Sequence, residues 1–513
     1  MSYAGHNGRS DECELTRHGM SNPIFRRTKI IATLGPASEA PEVVEKILRA
    51  GADAIRLNFS HGTADEHRAR AGCVREIARR LGRHVAILAD LQGPKIRIAR
   101  FRDEKVQLAE GQSFDLDTAW PADGGDETQV GCSYEALPRD VKAGDTLLLN
   151  DGLIELKVEK VEGTRVHCIV TVGGVLSNHK GINKLGGGLS APALTDKDKE
   201  DLKTAVMIGA DYLAISFPRS AEDILEAREL LRQAGSDMGI VAKIERAEAI
   251  RDGVIEGIID ASAAIMVARG DLGVEIGDAL LPHQQKRLIR LARQHNKAVI
   301  TATQMMESMI ENPQPTRAEV SDVANAVIDG TDAVMLSAET AAGKFPVRTV
   351  AAMARVCLEA EKYPRVRQSQ SHHRMDQEFH RIDEAIAMSA MYIANHLPVR
   401  AIGALTETGS TPLWMSRISS GIPIYALTSH ERTCQKVALY RGVYPISFDE
   451  GNISDHAVLN KAIAEEFLKR NLVCVEDMVI LTKGDLTGLT GGTNALKIAR
   501  VIDVLAAAPP ATS

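Results

Sequence analysis

The run VAKIERAEAI (residues 241–250) sets Lys243 and Glu245 one residue apart at the end of an apolar stretch. Side chains alternate along a strand, so the two share one face at roughly 6.6 Å separation, with Ala242 and Ile244 opposite. Other apolar runs also close on reactive side chains: Arg56 and Asn58 in DAIRLNFSHG, Asp90 in HVAILADLQGPK, Arg269 and Asp271 in AAIMVARGDLG, Thr303 in KAVITATQMMES, and Ser337 and Glu339 in DAVMLSAET. Any one of these alone reads as a satisfied ion pair at the rim of a core. Together they are costly to desolvate unless a ligand or ion completes them. Glu245 and Asp271 offer hard oxygen ligands, too few for a calcium cage but suited to magnesium, which keeps waters and substrate oxygens; a Lys243–Glu245 salt bridge with no metal is the plain alternative. The glycines flanking Asp271 in ARGDLGVEIG leave backbone N–H groups for a small carboxylate or phosphate, although the same residues make an ordinary turn. Lys243 has two chemical uses, as a Schiff-base nucleophile or as a protonated group that stabilises anionic oxygens. Glu245 favours the charged form, which points to phosphoryl or enolate chemistry.

These residues need elements that bring them to one place. Eight short apolar runs, starting at Lys29, Asp53, His84, Asp211, Ile240, Ala263, Lys297 and Asp332, are followed by helix-period segments such as PEVVEKILRAG and AEDILEARELLRQAG. A strand and a helix alternating eight times predict a closed (β/α)8 TIM barrel, whose reactive groups sit at the C-terminal strand ends. Most gaps between runs are about 25 to 35 residues, and the third is about four times longer. Within it, LLLNDGLIELKVEKVEG and TRVHCIVTVGG alternate apolar and polar residues, which predicts a small antiparallel β-barrel lid over the mouth. After the eighth unit a polar stretch, YPRVRQSQSHHRMDQEFHR, leads to VRAIGALTETGS, IPIYALTS and DMVILTKGD, strand-like runs of an open α/β sheet. The expected division is a polar extension at 1–23, the barrel at 24–92 and 191–365, the lid at 93–190, and a C-terminal α/β domain at 366–513.

Composition narrows the classes. The chain has 513 residues, 44% hydrophobic and 25% charged, ordinary for a protein with large cores. A net charge of -7 argues against nucleic-acid binding through general basicity. Seven cysteines without C-x-x-C spacing exclude a zinc knuckle or disulfide scaffold and fit a reducing cytoplasm. No stretch has the ~18 apolar residues of a membrane span.

In order and spacing, TKIIATLGPAS, IRLNFSHG, DLQGPKIR, LNDGLIELKV, AKIERAEAI, VARGDLGVEI, ATQMMESMI and TRAEVSDVANAVIDGTDAVMLSAETAAGKFP resemble pyruvate kinase, over nearly everything from Pro23 onward. The resemblance implies transfer of the phosphoryl group of phosphoenolpyruvate to ADP, giving pyruvate and ATP at the last step of glycolysis. By position it makes Glu245 and Asp271 the ligands of magnesium, with manganese as a substitute, and Lys243 the group bridging the transferring phosphoryl and the enolate oxygen. Arg56 matches the arginine gripping the phosphoryl group, and the amides of Gly270 and Asp271 would hold the substrate carboxylate. Thr303 matches the threonine beside the reacting carbon, with Ser337 and Glu339 further along a proton chain. Asn58, His61, Arg97, Lys180 and Asp151 are the candidates for the nucleotide.

One departure is informative. Potassium-requiring members carry glutamate in GPEIR, whereas this chain reads DLQGPKIRIA, with Lys95 at that position. A fixed ammonium supplies the charge of a monovalent cation, so potassium is not expected to be required, although Asn58, Ser60, Asp90 and Leu91, which resemble the cation's surroundings, are present. In ALTETGSTP, Thr406, Thr408, Ser410 and Thr411 surround Gly409 at a strand-to-helix turn, an anion cradle matching the family's site for an activating metabolite, here a sugar phosphate or nucleotide, with KGDLTGLTGGTN as a second loop. The resemblance also implies a homotetramer. Two other classes were weighed. A barrel lyase working through a Lys243 imine is the runner-up, and a metabolite sensor with decayed machinery would need gaps among Arg56, Lys243, Glu245, Asp271 and Thr303, where there are none.

Overall fold

The computed structural model describes residues 25–363, 378–451, 453, 455–484 and 491–506. The N-terminal extension, most of the polar connector and the centre of the KGDLTGLTGGTN loop lie outside the described residues. The chain divides into two compact units, Ile30–Met353 and Ala354–Ser513 together with the segment up to Lys29.

In the first unit, eight strands close into a barrel: Lys29–Leu34, Ala54–Asn58, Ala86–Asp90, Tyr212–Ile215, Gly239–Ile244, Ala264–Ala268, Ala298–Ala302 and Ala333–Leu336. Every expected run forms one of these staves, and the neighbours pair in parallel. Six of them, Lys29–Leu34, Ala86–Asp90, Tyr212–Ile215, Ala264–Ala268, Ala298–Ala302 and Ala333–Leu336, are buried at every residue, because helices cover the outside while side chains fill the inside. That double burial explains why the sequence shows continuous apolar runs and not alternation. Pairing brings Asn58 opposite Asp90 and Lys243 opposite Met266, so the strand ends line up around one rim. Helix starts are set locally. Thr316 and Glu319 form a reciprocal cap on the helix Arg317–Asp329, and Thr195 and Asp198 do the same for Asp196–Met207.

The insert between the third and fourth staves forms a six-stranded sheet, ordered Ile182–Lys184, Thr146–Leu149, Ile154–Glu162, Arg165–Val172, Ser113–Asp117 and Gln129–Gly131, with a two-stranded ribbon of Lys105–Leu108 and Gly174–Ser177. It is a half-barrel around its own core of Phe114, Leu116, Leu147, Leu156 and Val166. One pair departs from the antiparallel expectation. Ser113–Asp117 and Gln129–Gly131 run parallel because the segment TAWPADGGDET between them is long enough to cross back. Asp198, fully buried, pins the insert at its root. One carboxylate oxygen accepts from the Gly93 N–H at 3.0 Å, while the other accepts from Thr195 N–H at 2.9 Å, so the entry and exit of the insert share one anchor.

The second unit carries a five-stranded sheet ordered Val443–Ser447, Ile424–Thr428, Val399–Leu405, Met478–Gly484 and Thr493–Arg500, parallel except for the last. Its two outer strands escape a reading by pattern. Val443–Ser447 contains Pro445, which is tolerated only at an edge, and Thr493–Arg500 is a half-exposed antiparallel edge rich in charge. No helix among the described residues is long and apolar enough to cross a membrane.

Candidate active site

The barrel delivers its charges to one place. Lys243 lies near the end of the fifth stave and Glu245 just beyond it. The ammonium of Lys243 sits 2.9 Å from Glu245 Oε1 and 3.4 Å from Asp90 Oδ1, and donates to Ser216 Oγ at 2.7 Å. Arg56 closes the group from the second stave, with Nε donating to Asp90 Oδ2 at 2.5 Å and Nη1 to Thr33 Oγ1 at 3.3 Å. Asp90 and Glu245 are each 1% exposed. Burial alone would raise the Asp90 carboxyl, but the charges of Lys243 and Arg56 outweigh it and hold the group below the usual carboxylate range. Lys243 shows the mirror image: burial opposes its charge, and Asp90 and Glu245 more than restore it, so its pKa is raised. An imine-forming lysine needs the opposite shift. Glu245 is pushed up to about 7, first by burial and then by the facing charge of Asp271, with Lys243 and the Phe217 amide pulling the other way.

Asp271 stands in the first turn of the helix Arg269–Ile276, which begins where the sixth stave ends. Two carboxylates that repel each other across a buried mouth, one of them next to an ammonium, form a donor set that a hard cation would relieve. Among the described residues no group of three or more His, Cys, Asp or Glu side chains could hold a metal. The pair therefore fits an ion that takes its remaining oxygens from water and substrate.

The seventh and eighth staves end in unusual backbone. Thr303 has φ +67° and Gln304 φ +52°, a region that a β-branched threonine rarely enters. The turn directs Thr303 Oγ1 to accept from the Gly270 N–H at 2.8 Å and to donate to the Ala302 carbonyl at 2.6 Å. Its proton is thus committed to the main chain, and one lone pair is left for a water or ligand. Glu339, buried, accepts from the amides of Ser337 at 2.6 Å and Met306 at 3.2 Å, and so ties the eighth strand end to the loop after the seventh. Burial raises its carboxyl pKa.

Arg269, expected among the groups facing the mouth, is turned away from it. Its guanidinium donates to the carbonyls of Thr303 at 2.6 Å and Gln304 at 3.0 Å and pairs with Asp322 at 2.5 Å. On the insert, Arg97 donates to the His179 carbonyl at 2.9 Å and bridges Gly181, beside Lys180, while the turn bearing Asp151 adjoins the same glycine through the Asn150 N–H at 3.3 Å. Those three nucleotide candidates gather around Gly181. Asn58 ends the second stave and His61 lies on the turn after it, where Asn58 Oδ1 accepts from the Ser60 N–H at 3.2 Å. Among the described residues no hydrogen bond or ion pair joins the two sets. Lys95 lines a cleft with Asp271, Glu275, Arg246 and Asn183, and its ammonium makes no ion pair or hydrogen bond among the described residues. Leu91 is buried and contributes its carbonyl, which accepts from Ser216 Oγ at 2.7 Å.

In the second unit, Gly409 at φ +82° precedes a short helix, Ser410–Ser416. Thr406 Oγ1 accepts from the Gly409 N–H at 3.0 Å, and Thr408 lies beside Ser410 with 3.4 Å between their hydroxyl oxygens. The Thr411 side chain does not join them. It is 1% exposed and bonded to Thr493 Oγ1 at 2.7 Å, because the first helical turn packs it against the edge strand.

Sequence reasoning missed Ser216, Thr33 and Glu275. The rule that strand ends carry the site, applied to the first and fourth runs as it was to the others, selects Thr33 and Ser216. Glu275 lies in the last turn of the helix whose first turn carries Asp271. Its carboxylate accepts from the Ala247 N–H at 2.8 Å, its backbone carbonyl accepts from the insert's Gly186 N–H at 2.8 Å, and burial pushes its pKa up to about 7. No spacing announces that role.

Replacing Asp90 by asparagine keeps its shape and removes the one carboxylate shared by Arg56 and Lys243. Turnover of the Asp90→Asn variant is expected to fall about 10²-fold or more, with the fold retained by circular dichroism; a loss under threefold would contradict the shared-anion geometry.

The profile "Pyruvate kinase, barrel domain" matches residues 25–350, and "Pyruvate kinase, alpha/beta domain" matches residues 384–499. The chain is 58% identical over 482 residues to "Pyruvate kinase II" of Salmonella typhimurium, covering 93% of this chain and 99% of the relative. It is also 58% identical over 462 residues to the "Pyruvate kinase" of Haemophilus influenzae, covering 90% and 96%. Its fold superposes with a TM-score of 0.87 on a crystal structure of a pyruvate kinase from Cryptosporidium parvum, at 32% identity and over 94% of this chain and 98% of that one. A barrel whose mouth gathers a lysine, an arginine and paired carboxylates, matched along its whole length in this way, places the chain in the pyruvate kinase family, kinases that transfer a phosphoryl group between phosphoenolpyruvate and ADP or ATP.

Proposed function

We propose that this kinase works through Lys243 and Arg56 as fixed positive charges, with Glu245 and Asp271 as the protein ligands of magnesium. The observation that carries the reading is the ammonium of Lys243 wedged between Asp90 and Glu245 while Asp271 faces Glu245 across the mouth. In the forward reaction the bond from phosphorus to the enol oxygen breaks, a bond to the terminal phosphate oxygen of ADP forms, and the enolate takes a proton at its methylene carbon. Arg56 and Lys243 lie where negative charge builds on the phosphoryl and enolate oxygens, and their carboxylate partners fix them before the substrate arrives, so little reorganisation is needed at the moment of transfer. A bound divalent ion supplies Lewis-acid neutralisation of the substrate oxygens. The Asp271 amide, at the start of a helix, receives the substrate carboxylate, whereas the Gly270 N–H, expected to share that role, is already engaged by Thr303 Oγ1 at 2.8 Å. Thr303, with its free lone pair, holds a water at the reacting carbon; Ser337 continues the relay and Glu339 orients it.

Nucleotide phosphates fall to Arg97 and Lys180 on the insert, with Asp151 nearby and Asn58 and His61 on the barrel turn. Lys95, a cation with no ion-pair partner among the described residues in the cleft it shares with Asp271, takes the place of a monovalent ion beside Asn58, Ser60, Asp90 and Leu91, so the enzyme does not require potassium. Thr406, Thr408, Gly409 and Ser410 support binding of a sugar-phosphate or nucleotide activator. The side chain of Thr411 is withdrawn from that set by its bond to Thr493. The assembly is a homotetramer, which sedimentation equilibrium checks.

Initial rates with phosphoenolpyruvate and ADP test this reading. In rigorously potassium-free buffer, added potassium is expected to change the rate less than twofold; a many-fold rise removes Lys95 from this part. Glu245→Gln and Asp271→Asn are each expected to raise the magnesium concentration for half-maximal rate by about tenfold or more, with weaker Mn²⁺ binding by electron paramagnetic resonance. Unchanged Mn²⁺ affinity in both would refute the ligand assignment. Activation curves flat with both sugar phosphates and nucleotides would remove the effector site.

A further inference from the structure

The seventh strand end is built in a conformation that its own residues disfavour. Thr303 and Gln304 follow one another at φ +67° and +52°, neither is glycine, and such strain persists only where surroundings over-determine it. Besides the Gly270 N–H on Thr303 Oγ1, one side chain holds both residues of the turn. The guanidinium of Arg269 spans the turn: Nη2 donates to the carbonyls of Thr303 and Gln304, at 2.6 and 3.0 Å, and Nε lies 3.2 Å from the Thr303 carbonyl and 3.3 Å from the Ala302 carbonyl. The Ala302 carbonyl is also the acceptor of the Thr303 hydroxyl proton. Arg269 therefore acts on both ends of the Thr303 side chain, through the backbone that carries it and through the oxygen that orients its proton. The remaining nitrogen, Nη1, is held by Asp322 Oδ2 at 2.5 Å and by Gln285 Oε1 at 3.4 Å, so the fork is fixed from the helix Arg317–Asp329. Arg269 is 6% exposed and reaches neither Lys243 nor the carboxylates of the mouth through any hydrogen bond or ion pair among the described residues.

We propose that Arg269, clamped by Asp322, is a positioning residue for proton delivery, holding the strained Thr303–Gln304 turn so that the Thr303 hydroxyl keeps its hydrogen to Ala302 and presents a lone pair to the water beside the reacting carbon. This rests on the reading of Thr303 as the residue next to that carbon. It predicts a division of labour: phosphoryl transfer depends on the fifth and sixth strand ends, and ketonisation depends in addition on a clamp that never touches substrate. A lysine cannot substitute, because a point charge lacks the planar fork that engages several carbonyls at once.

Two rates separate the half-reactions: exchange of the pyruvate methyl protons with D₂O, followed by NMR, and ATP formation from phosphoenolpyruvate and ADP. The variants are Arg269→Lys, Asp322→Asn and Thr303→Val, with circular dichroism as the check on folding; Asp322, on a solvent-facing helix surface, makes the mildest change. The expected result is that all three lower the ratio of exchange to ATP formation, about tenfold or more for Arg269→Lys and several-fold for Asp322→Asn, with KM for phosphoenolpyruvate within twofold. If Thr303→Val lowers the ratio and both clamp variants slow exchange and ATP formation equally, the positioning proposal is overturned and the reading of Thr303 stands. If Thr303→Val leaves the ratio unchanged, both fall. If Arg269→Lys misfolds, Asp322→Asn alone decides.

Discussion

Asp90 makes it possible to bury two cations in one barrel mouth. Its carboxylate is almost fully enclosed, yet Arg56 takes one oxygen and Lys243 approaches the other, so neither cation is left bare in a medium of low dielectric. The arrangement holds only while each member keeps its partners. Removing one partner leaves an uncompensated buried charge, which is far more damaging than the loss of an exposed pair. Around that centre Lys243 also pairs with Glu245, and Asp271 faces Glu245 from the next strand end.

Precision comes from elements that have little freedom of their own. Six of the eight staves are buried at every residue, which leaves their ends no room to drift. Gly93, at φ +69°, passes so close to Ser216 that an added Cβ would lie 2.7 Å from that side chain, and Ser216 Oγ in turn accepts a hydrogen bond from the Lys243 ammonium. The root of the insert is therefore packed against a partner of the central lysine. Glu275 adds a second link, joining the helix that carries Asp271 to the loop after Glu245 and to the insert.

Much of this was legible in the residues. The eight apolar runs mark all eight staves, because a parallel barrel buries both faces of its strands and leaves uninterrupted Val, Ile, Leu and Ala. The strand-end rule then found Arg56, Asp90, Lys243, Glu245 and Asp271, which the structure gathers at one rim. It was less informative where a side chain is capable of two directions. Arg269 has the same chemistry and the same position as its neighbours, and only the coordinates reveal that backbone carbonyls capture it. Thr411 belongs to a run of hydroxyls in sequence, but helical geometry turns it inward to Thr493. The edge strand Val443–Ser447 carries proline, and the edge strand Thr493–Arg500 carries charge, where a central strand would not, so their pattern argues against the structure they adopt.

The central claim is that Lys243 stabilises charge on the oxygens exchanged in the reaction and forms no covalent bond. Rapid-quench measurement of ATP formation in a single turnover, comparing wild type with Lys243→Met, tests it most directly. The account predicts a rate lower by about 10³-fold or more, with phosphoenolpyruvate still bound and no borohydride-trapped adduct in the wild type. A rate within tenfold of wild type, or a trapped adduct at Lys243, would contradict it.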